Sequence, residues 1–180
     1  MSSISEHPSE GGTQLPNQYF FRKLKSKIYA LCCFSAALEQ AGLKEVIQIH
    51  IMKCMFFTDG SYKNRFIHFI NTKTEISLFL DKNSFDRFMH DLPVAAKQFI
   101  NIDLTCFRAA EMYCIQNDIN SPGITSIISS KLAANGISIV YTNSFNSSFI
   151  LVPEKQFLTA CSILKVLANP ENDQEDEDPD

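Results

Sequence analysis

The feature that most limits what this chain can fold into is one order of apolar runs, alternating between strand-like and helix-like spacing, that occurs twice. In residues 27–34 the β-prone run Ile-Tyr-Ala-Leu-Cys-Cys-Phe predicts a buried strand. Leu38, Leu43, Val46, Ile47, Ile51, Met52 and Met55 follow at helical spacings, up to a break at Thr58-Asp59-Gly60-Ser61. Residues 65–71 and 75–80, separated by Thr72-Lys73-Thr74, predict a hairpin. Phe85, Phe88, Met89 and Leu92 then recur at spacings of three and four, which predicts a short amphipathic helix before Pro93, capped by Asn83 or Asp81. Residues 98–104 are read as the closing strand. The resulting order is β-α-β-β-α-β.

Residues 105–115 begin that order again. After the break Asn117-Asp118-Ile119-Asn120-Ser121-Pro122-Gly123, Ile124, Ile127, Ile128, Leu132 and Ala133 share one helical face. Ser121 is read as its N-cap, Pro122 as its first residue and Asn135-Gly136 as its stop. Strands at 137–142 and 148–152 flank the polar turn Asn143-Ser144-Phe145-Asn146-Ser147. A last helix opens at Pro153-Glu154 and carries Phe157, Leu158, Cys161, Leu164 and Lys165 to about Leu167. No fourth strand is evident in this second copy. The predicted fold class is therefore α+β, with tandem ferredoxin-like (βαββαβ) units at 21–104 and 105–168. A disordered leader at 1–20, with order beginning near Phe21, and an acidic disordered tail at 169–180 are expected to flank them.

Charge narrows the partners. Seven of the 20 acids fall in residues 171–180, leaving 13 acids against 16 bases in the rest of the chain. The densest basic cluster, Arg22, Lys23, Lys25 and Lys27, is too small to predict nucleic-acid binding, and no Lys/Arg-Gly-Phe-x-Phe pattern is present. Phe66 and Phe69, three residues apart, do not share a strand face and make no stacking platform. No apolar run approaches the roughly 20 residues that cross a bilayer. With no signal-peptide pattern at the N-terminus, the chain is expected to be cytoplasmic, with no membrane attachment.

Catalysis and metal binding find no support in the spacing. Cys32, Cys33, Cys54, Cys106, Cys114 and Cys161 show no CxxC, so they are read as reduced core residues rather than metal or redox ligands. His50, His68 and His90 stand outside HxxxH or HExxH, and neither GxSxG nor a Gly-rich phosphate loop occurs. The chain is expected to be no enzyme and to need no cofactor.

The stretch from Ser121 to Glu154, with its helix ending in Lys-Leu-Ala-Ala-Asn-Gly-Ile, its Asn-Ser-Phe-Asn-Ser turn and its strand ending Leu-Val-Pro-Glu, resembles the ACT module of the CASTOR family of arginine sensors. Upstream, Lys53-Cys-Met-Phe-Phe-Thr-Asp-Gly60, Arg65-Phe-Ile-His-Phe-Ile-Asn71 and Glu75-Ile-Ser-Leu-Phe-Leu-Asp81 are similar to the module preceding it, so the resemblance covers about residues 27–167. That family carries four ACT modules in one chain, so this sequence resembles one half, and a homodimer would rebuild the whole. The resemblance implies a non-catalytic sensor of an amino acid or small metabolite that regulates a protein partner in nutrient (target-of-rapamycin-type) signalling. It places ligand contacts at Ser121, Pro122, Gly123, Ile124 and Thr125, where a loop enters a helix N-terminus, and at Ser144, Phe145 and Ser148 around the turn. Physical chemistry agrees that free N–H groups at such a terminus suit a carboxylate. The two acids that hold arginine in the family fall here on Ser121 or Pro122 and on Ser148, so the resemblance does not extend to arginine as ligand. A ligand-free protein-interaction module is the alternative.

Overall fold

The computed structural model describes residues 19–57, 65–114 and 122–167. Residues 1–18 of the expected leader (1–20), the break at Thr58–Ser61, most of the break before the fifth helix including Ser121, and the acidic tail lie outside the described residues.

Among the described residues seven strands form one sheet. They are β1 (Tyr19–Lys23), β2 (Ile28–Phe34), β3 (Ile67–Asn71), β4 (Glu75–Asp81), β5 (Asn101–Cys114), β6 (Val140–Asn143) and β7 (Ser147–Pro153). The helices are α1 (Ser35–Gln40), α2 (Lys44–Phe56), α3 (Lys82–Asp91), α4 (Val94–Lys97), α5 (Ile124–Ala134) and α6 (Phe157–Leu167), the last preceded by one 3₁₀ turn at Glu154–Gln156. The helix expected across residues 38–55 is two helices. Gly42 at φ 65° lets α1 end, with the Leu43 N–H donating to Leu38 O, before α2 begins.

The strand order is β3-β4-β2-β5-β7-β6, with β1 also paired to β5, and every pairing is antiparallel. The two strands expected on either side of position 104 are one. The first part of β5 pairs with β2, and its second part lies between β1 and β7. Each half of the sheet thus has the strand order of a βαββαβ unit. The missing fourth strand of the second copy is β1, which precedes the first copy in the chain. β1 starts at Tyr19, two residues before Phe21: Tyr19 is buried, and Tyr19 and Phe20 pair with Cys114 and Tyr113. Arg22 Nε donates to the Glu111 carboxylate at 3.0 Å and secures this strand.

Where β5 passes from one half to the other, the register slips. Tyr29 faces Cys106 and Leu31 faces Ile102, so Asp103, Leu104 and Thr105 oppose Ala30 alone. The Thr105 N–H bonds back to Asp103 Oδ1 at 2.8 Å, and Leu104 is thrown out to solvent. Such a bulge bends and twists the strand. The helix-free faces of the two halves turn toward each other across it, burying Ile28, Phe66, Phe107, Ala109 and Leu151, with the Phe66 and Phe149 rings edge to face at 5.2 Å. The edge strands β3 and β6, at opposite ends of the strand order, meet where the Thr142 hydroxyl lies 3.1 Å from His68 Nε2. Each half keeps its own helix-side core. Leu31, Leu38, Ile47, Ile76, Leu78 and Phe88 belong to one, and Met112, Ile128, Leu132, Ile150, Phe157 and Leu164 to the other.

Of the two expected caps for α3, Asp81 is the one. It is buried, and its carboxylate accepts from Ser84 N (3.0 Å), Ser84 Oγ (2.7 Å) and Phe66 N (3.0 Å). It therefore holds the α3 N-terminus and the chain entering β3 with one side chain. Asp81→Ala is expected to cost about 2–4 kcal/mol in urea unfolding, the sum of a lost cap and an unsatisfied buried N–H.

Burial holds the His68 imidazole below its ordinary value of 6.5. The folded protein takes up that proton at lower pH than the unfolded chain, so this contribution to stability is whole above the unfolded value. It is lost as the pH falls through the folded one. The melting temperature should drop as the pH is lowered below about 6.5, and His68→Gln should flatten that part of the slope.

Candidate functional site

The second half turns a helix N-terminus, a tight turn and a buried hydroxyl toward one end of the sheet. Gly123, not Ser121, occupies the N-cap of α5; it sits at φ 89°, and no side chain caps the helix. Ile124 is the first helical residue, and Pro122 lies in the exposed turn before it. A Cβ at Gly123 would meet nothing within 4 Å, so glycine is required there by its left-handed backbone and not by crowding. The Ile127 N–H bonds to Gly123 O at 2.9 Å, and Gly123, having no side chain, caps none of the earlier N–H groups of the first turn. The Ile124 side chain belongs to the core, which leaves its backbone to face outward; Thr125 is exposed. At the far end the expected stop holds: Gly136 takes φ 68° and Ile137 N–H bonds to Leu132 O.

The β6–β7 turn divides the other candidates. Ser144 is consumed by the turn itself, its hydroxyl donating to Ser147 O and accepting from Ser147 N, both at 3.1 Å. Phe145 is 97% exposed at the tip and covers nothing in this chain. Ser148 points the other way. It alternates with Ile150 and Val152 on the helix side of β7, pairs with Met112 and Asn143, and is 1% exposed. Its Oγ has no hydrogen-bond partner among the described residues. A buried hydroxyl left so costs about 1–3 kcal/mol. Met112 and Ile124 belong to the same core cluster as its strand neighbours Ile150 and Val152.

The structure therefore brings Gly123, Ile124 and Ser148 to one end of the second core, commits Ser144 to the turn, and turns Phe145 outward. Sequence reading missed Met112, which sits opposite Ser148; the alternation Ala110, Met112 along β5 is the signal that places it on the helix side. An apolar crevice in the first half, lined by Ile51, Cys54, Met55, Ile67, Leu78, Leu80 and Phe88, admits no water and offers no polar group to a ligand.

No three His, Cys, Asp or Glu side chains group as metal ligands among the described residues, and no described helix is long and apolar enough to cross a membrane. Cys33, Cys54 and Cys161 are buried and unpaired, as expected of core residues, whereas Cys32 and Cys106 are only half-buried. Burial, reinforced by Cys32 and Glu75, pushes the Cys33 thiol up to about 11. It should resist alkylation in the folded protein at mildly alkaline pH and react once the chain is denatured, as peptide mass spectrometry would read directly.

The same end of the molecule lies in the segment that comparisons recognise. Residues 111–166 match the family model of the ACT domain, and the sheet is the alternating βαββαβ arrangement of that fold. No curated protein matches the sequence. Among solved structures, the chain is similar to the ligand-free regulatory subunit of aspartate kinase from Thermus thermophilus, with 9% identity and TM-score 0.56, covering 83% of this chain and 96% of that one. It is also similar to Clostridium acetobutylicum aspartate kinase, described as an allosteric enzyme (14% identity, TM-score 0.58), covering 90% of this chain and 37% of that one. A Vibrio cholerae protein of unknown function, described as a possible transport protein, matches at 13% identity and TM-score 0.53, covering 84% of this chain and 91% of that one. At these identities the likeness establishes the fold.

Proposed function

We propose that this protein is a non-catalytic regulator that binds an amino acid or small metabolite at the end of its second half. The observation that carries the reading is the buried Ser148 hydroxyl, without a hydrogen-bond partner among the described residues, at the end of the sheet where α5 starts from a glycine N-cap, within the segment that matches the ACT family. A ligand carboxylate would take the free N–H groups of the first α5 turn. A donor or acceptor on the same ligand would satisfy Ser148. In this reading Gly123, Ile124 and Ser148 form the floor of the site, and Pro122, Thr125, Ser144 and Phe145 its rim. Two ACT units meeting within β5, near position 104, make up the chain, and the likeness to aspartate kinase regulatory regions supports a regulatory rather than chemical role. The finer reading, drawn from the resemblance to CASTOR sensors, is a cytoplasmic homodimer that passes ligand occupancy to a protein partner in nutrient signalling. With serine at position 148 where the family has an acid, arginine is disfavoured as the ligand.

One observation favours the alternative of a ligand-free interaction module. Ile49, Met52 and Phe56, spaced by three and four along α2, are all more than half exposed, and Phe145 stands free. Apolar stripes of this kind mark surfaces that dock on other proteins.

The test is a thermal-shift screen of the purified protein against the twenty amino acids and common metabolites, followed by calorimetry on any hit. Ser148→Ala should leave the unliganded protein as stable or about 1 kcal/mol more stable, since it removes an unsatisfied hydroxyl, and should weaken the hit about tenfold. A hit of undiminished affinity in that variant would move the ligand elsewhere, and the lack of any hit would leave the interaction module as the function.

A further inference from the structure

The outward face of α2 is patterned in charge as well as in apolarity. Ile47, Ile51 and Cys54 turn into the first core. At 3.6 residues per turn the opposite side of the helix carries Glu45, Ile49, Met52, Lys53 and Phe56. α1 and α3 both pack against α2, yet all five of these residues stay exposed, with Ile49 at 51%, Met52 at 55% and Phe56 at 64%. Glu45, in the first turn, and Lys53, in the last, have no ion-pair partner among the described residues. Lys44, beside Glu45 in sequence, is already held by Glu39. Ile49 lies midway between the acid and the base, four residues or about 6 Å along the axis from each.

We infer that the occupant of this face is α2 of a second copy of the chain, crossing antiparallel about a twofold axis at Ile49. Such an axis sets Ile49 on its own counterpart and each Glu45 opposite the other copy's Lys53, so the two charges that one chain leaves unpaired complete two ion pairs. A parallel crossing would set acid on acid and base on base. The same register brings Phe56 of one copy over the Ala41-Gly42 turn of the other, where both residues are exposed and a Cβ at Gly42 would meet nothing within 4 Å, which leaves a flat seat for the ring. The patch is thus complementary to itself, as a twofold interface must be. A foreign partner would have to present acid, apolar residue and base in reverse order at this spacing, and this chain already does. One helix face is small beside the roughly 800 Å² per partner of a standard interface, so the association is weak, with a dissociation constant of about 1–100 µM. The inference rests on the homodimer of the proposed function and gives it a surface; it draws nothing from the ligand site at the α5 end.

The experiment is sedimentation equilibrium of the full chain, without ligand, over about 1–300 µM. The parent should exchange between monomer and dimer. Ile49→Glu, which sets two like charges at the axis, should raise the dissociation constant by about tenfold or more. Glu45→Lys and Lys53→Glu should each weaken the dimer about three- to tenfold, because each turns two attractive pairs into repulsive ones. The variant carrying both exchanges restores the pairs with their signs swapped, and should associate within about twofold of the parent. A parent that stays monomeric over the whole range overturns both this surface and the homodimer. A dimer untouched by Ile49→Glu, or charge reversals whose effects add instead of cancelling, leaves the homodimer standing and overturns this surface. All the substituted side chains are exposed, and circular dichroism of each variant checks that the fold is kept.

Discussion

Everything in this molecule is arranged around the pairing of β5 with three other strands. One fourteen-residue strand gives its first part to β2 and its second to β1 and β7. Two βαββαβ units built from separate strands could tilt freely on a linker. Two that share a strand cannot, because every backbone hydrogen bond on either side of position 104 fixes the other half's orientation. The bulge at Asp103–Thr105 sets the angle at which they close, and the phenylalanines of both helix-free faces fill the space between. The abundance of Phe and lack of Trp in this chain then have a physical reading. Wide rings with no N–H to satisfy suit a buried seam between two sheet faces.

Local elements were legible where a single period dominated. The alternation in residues 75–80 and the three-and-four spacing of Phe85, Phe88 and Met89 marked β4 and α3, and the Asn135-Gly136 stop of α5 followed from glycine's tolerance of a left-handed backbone. What escaped notice was long-range. Residues 98–104 and 105–115 read as two strands because a fourteen-residue strand is unusual and its bulge carries polar Asp103 and Thr105, which look like a boundary. β1 escaped because five residues, Tyr-Phe-Phe-Arg-Lys, alternate too briefly to register, and their partner lies some ninety residues away. The α5 cap was displaced from Ser121 to Gly123 because a positive φ at the N-cap leaves no mark in composition.

The candidate site followed the same division. Its residues could be placed by resemblance, but which were spent on the fold and which were free depended on orientation. Ser144 and Ser148 are the same amino acid four positions apart, and one completes a turn while the other is buried on the helix side of β7 with its hydroxyl unused among the described residues. Native folds seldom leave a buried polar atom unpaired.

The position of β1 also bears on the order in which the molecule can be built. As the chain emerges during synthesis, the strand that completes the second half is made first, and its partner on β5 is made last but for one hairpin and two helices. Until then its Tyr19 and Phe21 side chains have no core to enter, while the first half, continuous from β2 to the start of β5, has all its own strands. Folding of the second half must therefore close a loop that encloses a finished unit, a slow, long-range step. The first-made of the described strands must wait for a partner made much later, and in that interval its unpaired edge is open to capture by chaperones or to exchange with another copy.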